Sequence, residues 1–216
     1  MSILQNTNKR ALRKAITTTL RELSQSDIQS QSQAITEKVL SLSAFQQCKT
    51  VSCYLSMPAA EVQTTSLILN ILGDLGKTLF VPSITSKDGS MDFVRVYTEE
   101  DYRSLPSGLW GIPEPTPEWS GKKRQSVFDA DCDNLDLILV PGVAFDPSLS
   151  RLGHGKGYYD RFITSYSSST ERSRPLLVAL ALEQQLLEHG QVPMFDHDWK
   201  MDMIITPDKI ITAPRA

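Results

Sequence analysis

Residues Leu135–Arg161, "LDLILVPGVAFDPSLSRLGHGKGYYDR", join an aliphatic run to a loop that packs three glycines, four basic side chains and two tyrosines between Arg151 and Arg161. A run without polar alternation is buried on both faces, so Leu135–Val140 is read as a central strand with helices above and below it. Leu176–Leu182 ("LLVALAL") has the same character and is read as a second central strand. Working outward, strands alternate with helices, which predicts an α/β fold: a mainly parallel central sheet with helices on both faces, three-layer and Rossmann-like. Such sheets bind ligands beyond the carboxyl ends of their strands, where the loop after "LDLILVPG" falls.

The flanking elements follow from periodicity. Leu12, Ile16, Leu20 and Leu23 recur at helical spacing and form one stripe. Ser24 with Asp27 three positions on resembles a capping box that opens a second helix with Ile28, Ile35, Val39 and Leu42 on one side. Thr50–Met57 is read as a strand, Ser66–Leu75 as an apolar helix closed by Gly76, and Thr78–Val81 as a strand stopped by Pro82. Met91–Val96 alternates and predicts an edge strand, and "MIIT" ending at Thr206 predicts a last one. Between Ser83 and Asp133 no long period survives, and the segment reads as an excursion over the active face, with Lys122, Lys123 and Arg124 as a solvated loop.

Composition limits the function. With 216 residues the chain is expected to form a single domain, 1–216. Twenty-two basic residues against twenty-five acidic ones give a formal net charge of −3, unlike a general nucleic-acid binder, so any anion must be met locally. Cys48, Cys53 and Cys132 form no C-x-x-C pair, which argues for a reducing compartment and against zinc. No span is apolar enough for a membrane helix. A cytoplasmic protein is expected, with a mitochondrial address as the alternative, because the first 23 residues hold Lys9, Arg10, Arg13, Lys14 and Arg21 against the single acid Glu22.

The loop itself matches neither common phosphate-binding pattern. Lys156 is followed by Gly157 where a P-loop needs a hydroxyl, and Tyr158 stands where the dinucleotide pattern needs its third glycine. "DADCDN" at Asp129–Asn134 lacks the glycine and the closing acid of a calcium loop. What remains at Gly153–Gly157 is G-x-G-x-G, in which alternate residues in positive φ turn successive amides toward one anion, with Arg151 and Lys156 adding charge and a helix N-terminus close behind. Asp160, one turn into that helix, can offer an oxygen to a magnesium ion. The same residues also suit a plain surface turn leading into a helix with core tyrosines, and spacing alone leaves the two readings level.

The whole stretch resembles the signature of the 5-formyltetrahydrofolate cyclo-ligases, also called 5,10-methenyltetrahydrofolate synthetases. "KRALR" at Lys9–Arg13, "YLSMPAAEVQT" at Tyr54–Thr64 and "LWGIPEP" at Leu109–Pro115 are similar to further family stretches in the same order. Two departures stand out: His154 occupies a position that is often Arg in relatives, and "MPAAE" is one residue longer than in some of them.

The resemblance implies an enzyme that converts 5-formyltetrahydrofolate to 5,10-methenyltetrahydrofolate, with ATP as co-substrate and Mg2+ as cofactor, by way of phosphorylation of the formyl oxygen. It implies ATP contacts from Lys9, Arg10, Arg13 and the run Arg151, Leu152, Gly153, His154, Gly155, Lys156, Gly157, Tyr158 and Tyr159. Of these, Lys156 and Arg151 are given the catalytic roles. Folate contacts are implied for Leu55, Glu61 and Trp110, shared with His154, Gly155, Lys156, Gly157 and Tyr158. Asp160 and Asp202 resemble the magnesium ligands, with His197 and Asp198 as competitors and His189 structural. Lys9 and Arg13, four apart near a helix N-terminus, repel each other and the dipole, a strain that an anion relieves. The expected partners are the two small molecules, with no nucleic acid, no membrane and a monomeric chain. The alternatives are a non-catalytic folate- or nucleotide-binding relative, and an ATP-independent sugar-phosphate isomerase or acyl-carrier transferase on a similar framework.

Overall fold

The computed structural model describes residues 2–84, 90–108, 111–169 and 172–213. In chain order the elements are α1 (Ser2–Arg21), α2 (Gln25–Ser41), α3 (Ser43–Gln47), β1 (Thr50–Ser52), α4 (Thr65–Gly73), β2 (Thr78–Ser83), β3 (Asp92–Val96) and α5 (Glu99–Ser104). They continue with β4 (Glu118–Trp119), β5 (Lys122–Lys123), β6 (Leu137–Val140), β7 (Ala144–Phe145), β8 (Arg151–Leu152), α6 (Tyr158–Ser167), β9 (Leu176–Leu180), β10 (Met203–Ile205) and β11 (Ile210–Thr212). Seven strands form one sheet in the order β11-β10-β9-β6-β1-β2-β3. Its inner pairs are parallel and its two edge strands, β3 and β11, are antiparallel.

The aliphatic runs take the centre of the sheet as expected. Leu137, Leu139, Val178 and Leu180 face a cluster with Ile16 and Leu20 of α1, Ile28, Ile35 and Val39 of α2, and Leu67, Ile68 and Ile71 of α4. Ile138, Val140, Leu177 and Ala179 face the other way, against Phe162, Ile163 and Tyr166 of α6. The strand period of two thus divides each run between two cores, and helices on both sides make the three layers.

Several boundaries move for local reasons. Ser24 caps α2 as read, its hydroxyl accepting from the Asp27 amide at 3.1 Å. The strand expected over Thr50–Met57 stops at Ser52, and Tyr54 leaves the sheet, its carbonyl accepting from the Thr64 hydroxyl at 2.8 Å. With β1 so short, β2 runs past its parallel partner, so Pro82 faces Phe93 of β3 on one side only and β2 continues to Ser83. The helix expected over Ser66–Leu75 spans Thr65–Gly73, and Leu75 stands fully exposed. In the excursion, Lys122 and Lys123 are solvated as expected, but Arg124 is buried, its guanidinium donating to both carboxylate oxygens of Asp101 at 2.6 Å.

Candidate active site

The loop is built at the carboxyl end of β6. After Val140 the chain turns through Pro141 and Gly142, where a side chain would collide with the Phe145 ring at 2.5 Å. It then forms the hairpin β7–β8, which pairs Ala144 with Leu152 and Phe145 with Arg151. Buried Asp146 ties the hairpin tip, accepting from the amides of Ser148 and Val192 at 2.8 Å each. From the end of β9, Gln185 donates to the Gly142 carbonyl at 2.6 Å and accepts from the Leu182 amide at 2.9 Å. The carboxyl ends of β6 and β9 are therefore locked together beneath the loop.

Within the loop, Gly155 (φ 97°) and Gly157 (φ 66°) adopt the positive φ that the reading asked for, and Gly157 caps α6. Gly153 does not share it; its carbonyl accepts from Arg13 Nε at 2.7 Å instead. A Cβ on Gly155 would stand 3.3 Å from the Arg13 guanidinium, so helix and loop approach as closely as the missing side chain allows. Burial lowers the Arg13 pKa from its ordinary value, and Asp198 opposes that shift. Arg161 donates to the Lys156 carbonyl at 2.7 Å, while the Lys156 ammonium is exposed and has no ion pair among the described residues.

Other expected ligands are turned to structural use. Lys9 is buried, ion-paired with Asp198, and lies 4.0 Å from the centre of the Phe195 ring. This pair, which sequence reasoning missed, absorbs the charge strain assigned above to an anion. Arg10 is exposed on α1 and Leu152 is buried in β8. Arg151 is buried, donating to Asp160 at 2.7 Å and to the Pro141 carbonyl at 3.3 Å, so it braces the loop from within. Asp160 has its other oxygen on the Trp199 amide at 3.0 Å.

Asp202 lies elsewhere. It precedes β10, bound by Arg174 at 2.9 and 3.0 Å and by the Leu177 amide at 2.8 Å, at the amino ends of the strands. Asp160 and Asp202 therefore do not fit magnesium as a pair: each carboxylate is already engaged by an arginine and a backbone amide. No group of three or more metal-ligating side chains occurs among the described residues.

The folate candidates divide similarly. Glu61 is buried beyond the end of β1, its Oε2 accepting from the Met57 amide at 3.0 Å, while its Oε1 lies 3.9 Å from Nε2 of His154. The loop and the carboxylate thus meet at His154. Leu55 is buried in the adjoining core, Tyr158 is half-buried under Arg161, and Tyr159 packs edge-on against Phe93 with ring centroids 6.0 Å apart. Trp110 lies outside the described residues. Beside His154 a groove of about 410 Å³ runs along α1, lined by Arg13, Lys14, Thr17, Thr18, Arg21 and Val143. Lys14, Thr17, Thr18 and Arg21 share one helix face, and that spacing of three and four was legible in the sequence.

A mostly parallel α/β sheet with a cation-flanked glycine loop beyond its strand ends, facing a buried carboxylate, has the layout of an α/β ligand-binding enzyme. The 5-formyltetrahydrofolate cyclo-ligase family profile matches residues 5–207, and the chain belongs to that family. It is 40% identical over 197 residues to a Caenorhabditis elegans protein named "Probable 5-formyltetrahydrofolate cyclo-ligase", covering 91% of each chain. It is 34% identical over 207 residues to the mouse 5-formyltetrahydrofolate cyclo-ligase, covering 96% of this chain and 97% of that one. The NMR structure of Aquifex aeolicus 5,10-methenyltetrahydrofolate synthetase superposes with a TM-score of 0.73 at 29% identity, covering 96% of this chain and 94% of that one.

Proposed function

We propose that residues 1–216 act as one domain that converts 5-formyltetrahydrofolate to 5,10-methenyltetrahydrofolate, consuming ATP and releasing ADP and phosphate. The observation that carries this reading is the meeting, at His154, of the Gly155–Gly157 loop and the buried Glu61 carboxylate, which sets a phosphate site beside a ring site. Exposed Lys156 and the cations along α1 receive the nucleotide, and Glu61 receives the paired N–H donors of the pterin. Arg151 and Asp160 hold the loop in shape between them. Magnesium would accompany ATP and supply charge neutralisation at the phosphates, without a ligand pair from Asp160 and Asp202.

The formyl group on N5 is an amide: its carbon is a poor electrophile, and its oxygen does not leave as hydroxide near neutral pH. Transfer of the γ-phosphoryl to that oxygen converts it into a phosphate leaving group, which departs once N10 attacks the formyl carbon. The tasks left to the protein are positioning and charge neutralisation, which suit a loop of amides and one exposed lysine. We further propose a monomer in the cytosol; Cys48, Cys53 and Cys132, all free and buried thiols, suit a reducing compartment. Mixing the purified chain with 5-formyltetrahydrofolate and magnesium-ATP tests the activity: methenyl product and ADP form together, and their absence removes the reading.

A further inference from the structure

The interior beside the loop contains a polar group that nothing among the described residues satisfies. Tyr159, second residue of α6, has its hydroxyl sealed from solvent with no hydrogen-bond partner among the described residues, although its ring is fixed by Phe93 and lies 5.8 Å from the Arg151 guanidinium carbon. Nε of Arg151 is buried and unpartnered as well. The neighbouring buried tyrosine behaves normally: Tyr54 donates to the Val62 carbonyl at 3.1 Å. A buried hydroxyl without a partner costs about 1–3 kcal/mol, and such groups need an explanation.

Glu61 supplies one. It is close enough to Tyr159 to oppose loss of the phenolic proton, so with burial as the larger cause the hydroxyl's pKa lies well above its ordinary value and the group stays a donor. Glu61 keeps one oxygen on the Met57 amide, while its Oε1 makes no hydrogen bond among the described residues. An acceptor and a donor, each without a hydrogen-bond partner among the described residues, thus lie within electrostatic reach of each other. The pyrimidine edge of a folate pterin presents two adjacent N–H donors and, next to them, a ring carbonyl oxygen. Glu61 can accept only the first two, which leaves the carbonyl needing a donor.

We propose that the Tyr159 hydroxyl donates to the ring carbonyl oxygen of the pterin, which makes Tyr159 a residue of folate specificity and not a phosphate ligand. This rests on the folate reading above. The test is Tyr159→Phe, with KM measured separately for 5-formyltetrahydrofolate and for ATP, and with a thermal melt of the unliganded protein. The folate KM rises about three- to tenfold, the worth of one neutral hydrogen bond. The ATP KM is unchanged, and the melting temperature is equal to or above that of the wild type, because the change removes an unsatisfied buried hydroxyl.

A purely structural tyrosine does not move these readouts in opposite directions. A rise in the ATP KM of equal or larger size, an unchanged folate KM, or a lower melting temperature each overturns the assignment. Wild-type protein that neither binds nor turns over 5-formyltetrahydrofolate overturns the function and this assignment together. Active wild type with an unaffected variant overturns Tyr159 alone.

Discussion

Lys156 and Asp160 are four residues apart and serve different ends. The Lys156 ammonium is exposed and unpaired among the described residues, so Lys156→Met leaves stability within about 0.5 kcal/mol of wild type. Turnover falls by about two orders of magnitude, as when one preorganised charge donor is removed from a transition state. Steady-state rates alongside a melt separate the two effects. Asp160→Asn does the reverse. Arg151 has only 4% of its side chain exposed, so loss of its carboxylate partner leaves a buried charge uncompensated, at a cost of about 3 kcal/mol. For a chain of this length that lowers the melting temperature by roughly 6 to 12 °C. The magnesium dependence of turnover then keeps its wild-type midpoint; a midpoint shifted at unchanged stability would return Asp160 to the metal. Sequence reasoning named both residues. It gave Asp160 to magnesium, because an Asp nine positions after a buried Arg carries no mark in the sequence of whether it faces a metal or the Arg.

Among the elements, those with strong local signals were legible and those held by long-range contacts were not. Leu137–Val140 and Leu176–Leu180 announce themselves because burial on both faces suppresses polar alternation. The helix α5 and the edge strand β11 were missed; they span six and three residues, too short for a period to show. Pro82 was taken as a stop because its sequence does not reveal that β1 ends early. The excursion is fastened by side chains: buried Arg124 on Asp101, and Asp92 of β3, which accepts from the Phe93 amide and the Ser126 hydroxyl at 2.7 Å each.

Burial raises the Asp92 pKa against the opposing effect of those two hydrogen bonds. A carboxyl raised in the folded state favours folding below its ordinary value of 3.8, and that contribution is lost as pH climbs through the folded pKa. Asp92→Asn, which cannot ionise, therefore melts higher than wild type at pH 7, and the two converge toward pH 4. Melts across that range check this, and a parallel offset at every pH counts against it.

At the scale of the whole molecule, the sheet brings together segments far apart in the chain: Arg13 against Gly153, Lys9 against Asp198, Glu61 against His154. None of these pairings follows from periodicity, and the family resemblance supplied their candidate residues without their partners. The resulting site sets cations and loop amides beside a buried carboxylate. In the proposed reaction ATP activates the formyl oxygen directly. This is tested by turning over substrate that carries oxygen-18 in the formyl group and following the label. Direct activation leaves one labelled oxygen in inorganic phosphate for each methenyl product formed. Label released to water, with the phosphate unlabelled, would contradict it and leave ATP driving a conformational step instead.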